Sequence, residues 1–238
     1  VASTYSLDFN GSSGEVTGAT SEPNSSFTLA FWAKPDDVNA NQYFSHGVAS
    51  GDPNWRTIIL GFQDGFWNLY NAGYPTGTAS DTQITATAGS WQHVAWSYNG
   101  TTLKGYLNGV EQYSLTVSVN LGGGTITSRT LGSAGGAAYY GGLADDFGVW
   151  STALSGANIA GLADGSVTPE SLTTGAVRLW KLEEGTGTTA ADDVASYDGT
   201  LAGGVTWSSD VPDELAGGGG GDVSGSAALA LTATGTLT

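Results

Sequence analysis

Two Asn-Gly pairs, Asn99-Gly100 and Asn108-Gly109, stand at the ends of the short run TTLKGYL. Asn-Gly supplies both positive-φ residues of the tight hairpin turn whose twist matches that of antiparallel strands, so each pair fixes a chain reversal. Before the first turn Val94, Trp96 and Tyr98 fall on one face of an extended chain. Trp91 to Tyr98, Thr101 to Leu107 and Gln112 to Val119 are therefore expected to form a three-stranded meander. The same period of two recurs at Phe27 to Ala33, with Phe27, Leu29, Phe31 and Ala33 on one side and Thr28 and Ala30 opposite, the pattern of a half-buried strand.

Further strands are expected at Tyr5 to Phe9, Arg56 to Gly61, Trp67 to Tyr70, Thr125 to Leu131, Leu143 to Trp150, Val177 to Leu182 and Gly204 to Trp207. Their number and the turn signals between them predict an all-β chain, a sandwich of two antiparallel sheets. One short helix is expected, capped by Ser155, running through Ala157, Ile159 and Leu162 and ending at Asp164-Gly165.

Composition changes at Ala216, where Gly217 to Gly221 leads into SGSAALALTATGTLT. A pentaglycine run is a flexible link, which gives a folded domain over 1–215 and a Gly-rich linker with a low-complexity tail over 216–238. The tail reads equally as a disordered end or as a strand that docks on a neighbouring chain's sheet edge.

The 238 residues contain no Cys and no Met, which excludes a disulfide framework, a thiol catalyst and thiolate or soft-metal sites. Six Lys and Arg face 22 Asp and Glu, a net charge of -16 that repels phosphate backbones and anionic lipids. Nucleic acid and membrane are thus poor partners. No apolar run reaches the ~20 residues of a membrane helix, and no basic segment followed by an apolar one opens the chain.

The order YSLDFNGSSGEVTG, SSFTLAFWAKPDD, WQHVAWSYNGTTLKGYLNGVEQ and GGLADDFGVWSTALSGANIAGL resembles the laminin-G-like, concanavalin-A-like jelly rolls, in particular the laminin-G/pentraxin-like group. The resemblance runs over roughly residues 5 to 207. The segment from Ala176 that carries Trp180 looks like the strand with which many members begin, yet here it follows the helix. In an antiparallel sandwich the termini are often neighbours, so this late strand is expected to complete the same domain from the C-terminal side.

Hydrolases of this fold need two carboxylates set across a glycosidic bond, and their Glu-x-Asp-x-x-Glu pattern is absent. Glu183-Glu184 are adjacent, which puts them on opposite faces of a strand or in a solvated turn. His93, beside Trp91, is expected to be a partly buried imidazole bonded to backbone, and Arg56, Arg129 and Arg178 are scattered. No catalytic residue is assigned.

The family makes calcium the plausible cofactor, and Asp145 and Asp146 with Asp8 and Asn10 are the candidate oxygen ligands. Aromatics in the loop-rich stretch around Tyr43, Trp55 and Tyr74 suit stacking on sugar rings, with His46, expected in a loop, as a surface neighbour. The expected protein is a non-catalytic recognition or assembly module on a virion surface or outside the cell. The Gly-rich joint and tail resemble bacteriophage capsid-decoration or tail-fibre components, and a secreted bacterial lectin or adhesin is the alternative. The expected partners are a surface glycan or neighbouring coat subunits, with homo-oligomers assembled through the tail.

Overall fold

The computed structural model describes residues 3–23, 25–49, 57–72, 84–116 and 125–215. Strands are numbered in chain order. One sheet holds β1 (Ser6–Asn10), β3 (Phe27–Pro35), β8 (Gln92–Tyr98), β9 (Thr102–Leu107), β10 (Val110–Thr116), β12 (Gly141–Trp150), β13 (Ala176–Trp180) and β16 (Thr206–Ser208). Their order is β10-β9-β8-β3-β12-β1-β16, with β13 also on β12. The second sheet holds β2 (Glu15–Pro23), β4 (Gln42–Ala49), β5 (Thr57–Gln63), β6 (Phe66–Ala72), β7 (Ile84–Thr85), β11 (Thr125–Leu131), β14 (Thr189–Ala190) and β15 (Gly199–Ala202). It runs β14-β15-β2-β11-β4-β5-β6-β7, and every strand pair in both sheets is antiparallel.

The meander forms, but only its second Asn-Gly pair makes the expected two-residue turn. Tyr98 pairs with Leu103 across a longer connection in which Gly100 but not Asn99 has positive φ, and Asn99 Oδ1 accepts from the Thr101 and Thr102 amides. Asn108 and Gly109 take φ of 48° and 78°, and Val110 pairs with Leu107 across them. The inner faces meet in an aromatic core in which Phe31 stacks on Phe44 at 4.0 Å and Tyr140 meets Phe44 edge-on at 5.2 Å. Trp67, Phe147 and Trp180 extend it.

The half-buried reading of Phe27 to Ala33 is corrected, because both faces of that run are buried. On the outer side of the first sheet, Ala30, Ala95, Tyr106 and Trp150 are roofed by Ile159 and Leu162 of α1 (Gly156–Ala163). The expected cap is present: Ser155 Oγ accepts from the Asn158 amide at 3.2 Å.

The late segment closes the sandwich as expected. β13 takes over along β12 where β1 stops, with Phe147 opposite Trp180 after Ala144 opposite Leu7. Trp180 is fully buried, and its indole donates to the Tyr197 carbonyl at 3.1 Å. The described ends of the domain meet, the Ser3 amide donating to the Leu215 carbonyl at 2.7 Å.

Gly132 joins β11 to the loop that follows with φ +91°, and a Cβ there would lie 2.4 Å from the Gly14 carbonyl oxygen and 2.6 Å from the Phe9 ring. Gly132→Ala is expected to cost about 2 kcal/mol or more through strain and backbone displacement. Thermal unfolding checks this, and an unchanged midpoint excludes so tight an approach.

Candidate functional site

The covering of the first sheet leaves the outer face of the second as the broad strand surface not roofed by α1. β4 places His46 there, opposite Thr130 of β11 and Ile59 of β5. A bulge at Phe44 turns that ring inward while Tyr43, opposite Gly61, stays on the outer face. A Cβ on Gly61 would sit 3.0 Å from the Tyr43 ring, so the glycine lets the ring lie down on the sheet. Tyr139 reaches the same margin, since Tyr43 and Tyr139 form a parallel bridge and the Tyr43 amide donates to the Ala138 carbonyl at 2.8 Å. Tyr43, Tyr139 and His46 are all half-buried.

Of the four residues read as ligand-binding, Tyr43 and His46 therefore share a face, while Trp55 and Tyr74 lie outside the described residues, as does Arg56. His46 is in a strand, not the expected loop; the bulge interrupts the alternation that would have marked β4. Burial, with the Arg129 guanidinium behind the sheet, lowers its pKa, so the imidazole is neutral at pH 7. It then offers one donor and one acceptor. Tyr139 was missed because the small, Gly-rich loop before it carries no periodic signal.

The four candidate calcium ligands are not gathered into one site. Asn10 Oδ1 accepts from the amides of Ser12, Ser13 and Gly14, each at 3.0 Å, so its acceptor organises the turn into β2. Asp8 points outward opposite Leu143. Asp145 is fully buried and accepts from the Asp146 amide at 2.9 Å. Among the described residues no group of three or more His, Asp or Glu is arranged to hold a metal ion. As placed, these four residues do not form one calcium site.

Two of the acids instead meet at one hydroxyl. Ser3 Oγ lies 2.7 Å from Asp145 Oδ2 and 2.5 Å from Glu183 Oε1. A hydroxyl has one hydrogen, so one of these two contacts needs a proton on a carboxyl. Burial, then Asp146 and Glu183, raise the Asp145 pKa well above the carboxylate range. Asp146, the bulge residue with φ +46°, is raised to about 7 by burial and by Glu170, against the pull of Lys181. It lines a water-sized space with Trp32 and His93. His93 departs from its expected backbone bond: Nδ1 has no partner, the ring meets Trp32 edge-on at 5.4 Å, and burial lowers its pKa to about 3.

Glu183 holds the Thr4 amide at 2.9 Å and Glu184 the Ala191 amide at 2.7 Å, so both serve the backbone. Two of the scattered arginines converge inside the sandwich, where Glu22 pairs with Arg129 and lies 3.5 Å from Arg178 Nε. All three are at most 2% exposed.

A laminin-G family model of the concanavalin A-like lectin/glucanases superfamily matches residues 9–160. The chain belongs to this superfamily. Among solved structures it is similar to a candidate carbohydrate binding protein from Bacteroides ovatus, with a TM-score of 0.65 and 17% identity over 88% of this chain. This chain spans 60% of that protein's length. It is also similar to domain 4 of AbnA, an extracellular GH43 arabinanase from Geobacillus stearothermophilus, in complex with arabinotriose. There the TM-score is 0.54 with 25% identity, covering 66% of this chain and 76% of that one. The heptameric SAP-like pentraxin from Limulus polyphemus matches with a TM-score of 0.60 and 17% identity, over 86% and 94% of the two chains. At 17% identity the likeness is one of fold. No curated protein sequence matches the chain.

Proposed function

We propose that this domain is a non-catalytic carbohydrate-binding module that holds a neutral oligosaccharide on the outer face of the second sheet. The observation that carries the proposal is the cluster of Tyr43, Tyr139 and a neutral His46 on a face that α1 leaves open, with Gly61 opposite Tyr43. Tyrosine rings stack on the apolar faces of sugars, and the imidazole supplies a donor and an acceptor for hydroxyls. Membership of the superfamily and the likeness to the arabinotriose-bound domain support the reading. A net charge of -16 disfavours sialylated, sulfated or uronate polymers, which leaves neutral chains such as arabinans as the ligand class.

The non-catalytic half of the proposal rests on the acids: Asp145 is buried, and Glu183 and Glu184 are bonded to amides. The proposed setting is an exterior surface, of a virion or of a secreted protein, where polymeric glycans are met. The Gly-rich joint at Gly217 to Gly221 supports a display role.

A glycan array probed with the full chain should light up neutral oligosaccharides and leave anionic ones dark, with or without a chelator. Tyr43→Ala should weaken the best of them about tenfold or more, the ordinary cost of losing an aromatic anchor. Affinity should be level between pH 7 and 8, because His46 titrates below that range. An empty array, or equal affinity in Tyr43→Ala, ends the proposal.

A further inference from the structure

β10 ends the first sheet, and among the described residues no strand pairs with its outer side. It is seven residues long, whereas the other terminal strands, β16, β14 and β7, have three, two and two, and β13, beside β12, has five. An edge of that length is a template for another strand unless something blunts it. Here little does: VEQYSLT has no Pro and no Lys, and its bulge at Gln112 affects only the half nearest the turn.

The side chains point the same way. Val110, Tyr113 and Leu115 stand opposite Leu107, Gly105 and Leu103, on the face turned toward the second sheet. Among the described residues that sheet finishes with the two-residue β7. Val110 remains 60% and Leu115 43% exposed, two of the four large hydrophobic side chains so exposed among the described residues. Tyr113 packs on Trp96 at 5.9 Å, which makes the strip continuous with the core.

The backbone fixes which residues would bond. Pairing counted out from the two-residue turn makes Val110 and Leu107 a hydrogen-bonded pair, and Glu111 and Tyr106 a non-bonded one. Beyond the bulge the alternation places the amides and carbonyls of Ser114 and Thr116 outward.

We propose that this edge pairs antiparallel with the same edge of a second copy, about a twofold axis at Ser114. That register faces Tyr113 against Leu115 of the second copy and joins the two first sheets into one. The charge pattern selects this occupant. Two chains of charge -16 repel, so their contact must be neutral, and Gln112 to Thr116 contains no charged residue. Glu111, the one acid on the strand, is bonded to Lys104 of its own chain at 2.8 Å. The pairing is isologous and therefore closes at two copies. It uses neither the sugar-binding face nor the tail.

The absence of Cys gives a clean test on the full chain. Ser114→Cys should form a disulfide-linked dimer under mild oxidation, since facing bonded residues have Cα atoms ~5.5 Å apart. Val194→Cys, on an exposed residue elsewhere, is the background for random collision. Sedimentation of the wild type at about 100 µM should show dimer, and Leu115→Lys should weaken association about tenfold or more with an unchanged melting temperature. A wild type that is monomeric at that concentration overturns the proposal. So does a dimer that Leu115→Lys leaves intact, or Ser114→Cys cross-linking no faster than Val194→Cys.

Discussion

Glu22→Gln is expected to remove about 3 to 5 kcal/mol of stability, the cost of stranding buried charge. Glu22, Arg129 and Arg178 come from β2, β11 and β13, so the triad ties the second sheet to the late strand of the first. Arg129 also donates to Ser45 Oγ at 3.1 Å, and Arg178 to the Ala19 carbonyl with its guanidinium 4.0 Å from the Trp180 ring. Even with Glu22 in place, Nε and Nη1 of Arg178 make no hydrogen bond. Burial, opposed by Glu22 and reinforced by Arg129, lowers the Arg178 pKa to about 10, so its guanidinium stays charged at neutral pH. Without the carboxylate two cations face each other in the dry interior. Urea unfolding at pH 7 reads the loss. A triple replacement of the three residues by Leu and Met should recover most of it, because apolar side chains of like volume need no desolvation of charge. A loss below about 1 kcal/mol in Glu22→Gln would falsify the account.

Stability should rise as the solution is made acidic, from pH 8 down to about pH 5, which is the second large effect. Asp145 and Asp146 both have folded pKa values above the ordinary 3.8. For a raised acid, the folded state binds the proton more tightly than the unfolded chain. Its contribution is complete below the unfolded value and is lost as the pH climbs through the folded one. For Asp146 that window runs from 3.8 to about 7. A shift of this size corresponds to about 4 kcal/mol. Above it Asp146 ionises beside Glu170 and Glu183, with Lys181 the compensating cation. Relief of the overall negative charge also favours acid, so Asp146→Asn separates the two. Asn keeps the shape, tolerates the positive φ, and cannot ionise. The variant should flatten the urea midpoint between pH 5 and 8 relative to wild type. A wild-type midpoint that climbs with pH over this range contradicts the raised pKa values of the two acids.

The strands that could be read from residues were those whose pattern is set locally. Trp96 and Tyr98, the Asn-Gly turns, and Phe27 to Ala33 announce themselves because alternation and turn chemistry need no knowledge of the rest of the chain. β2 and β4 escaped notice. In EVTGATSEP the inward residues include Val16 and the buried Glu22, so half the core signal is a charge. In QYFSHGVA the bulge at Phe44 puts consecutive residues on the same face. Of the candidate site, Tyr43 and His46 were legible as residue types suited to a sugar. Tyr139, which the fold brings beside Tyr43, was not.

Sequence by itself determined the all-β class, the meander, the single capped helix and the superfamily likeness, because these follow from periods of two and from turns that close within a few residues. Tertiary structure alone decided which of the acids would meet. Asp145 was read with Asp8 and Asn10 as an oxygen cage, yet its partners are Ser3 and Glu183, 142 and 38 positions away in the chain. It also decided that Arg129 and Arg178 share Glu22, and that α1 roofs the outer face of the first sheet and not that of the second. Such contacts depend on register and on what packs above each face, and neither quantity is encoded in local spacing.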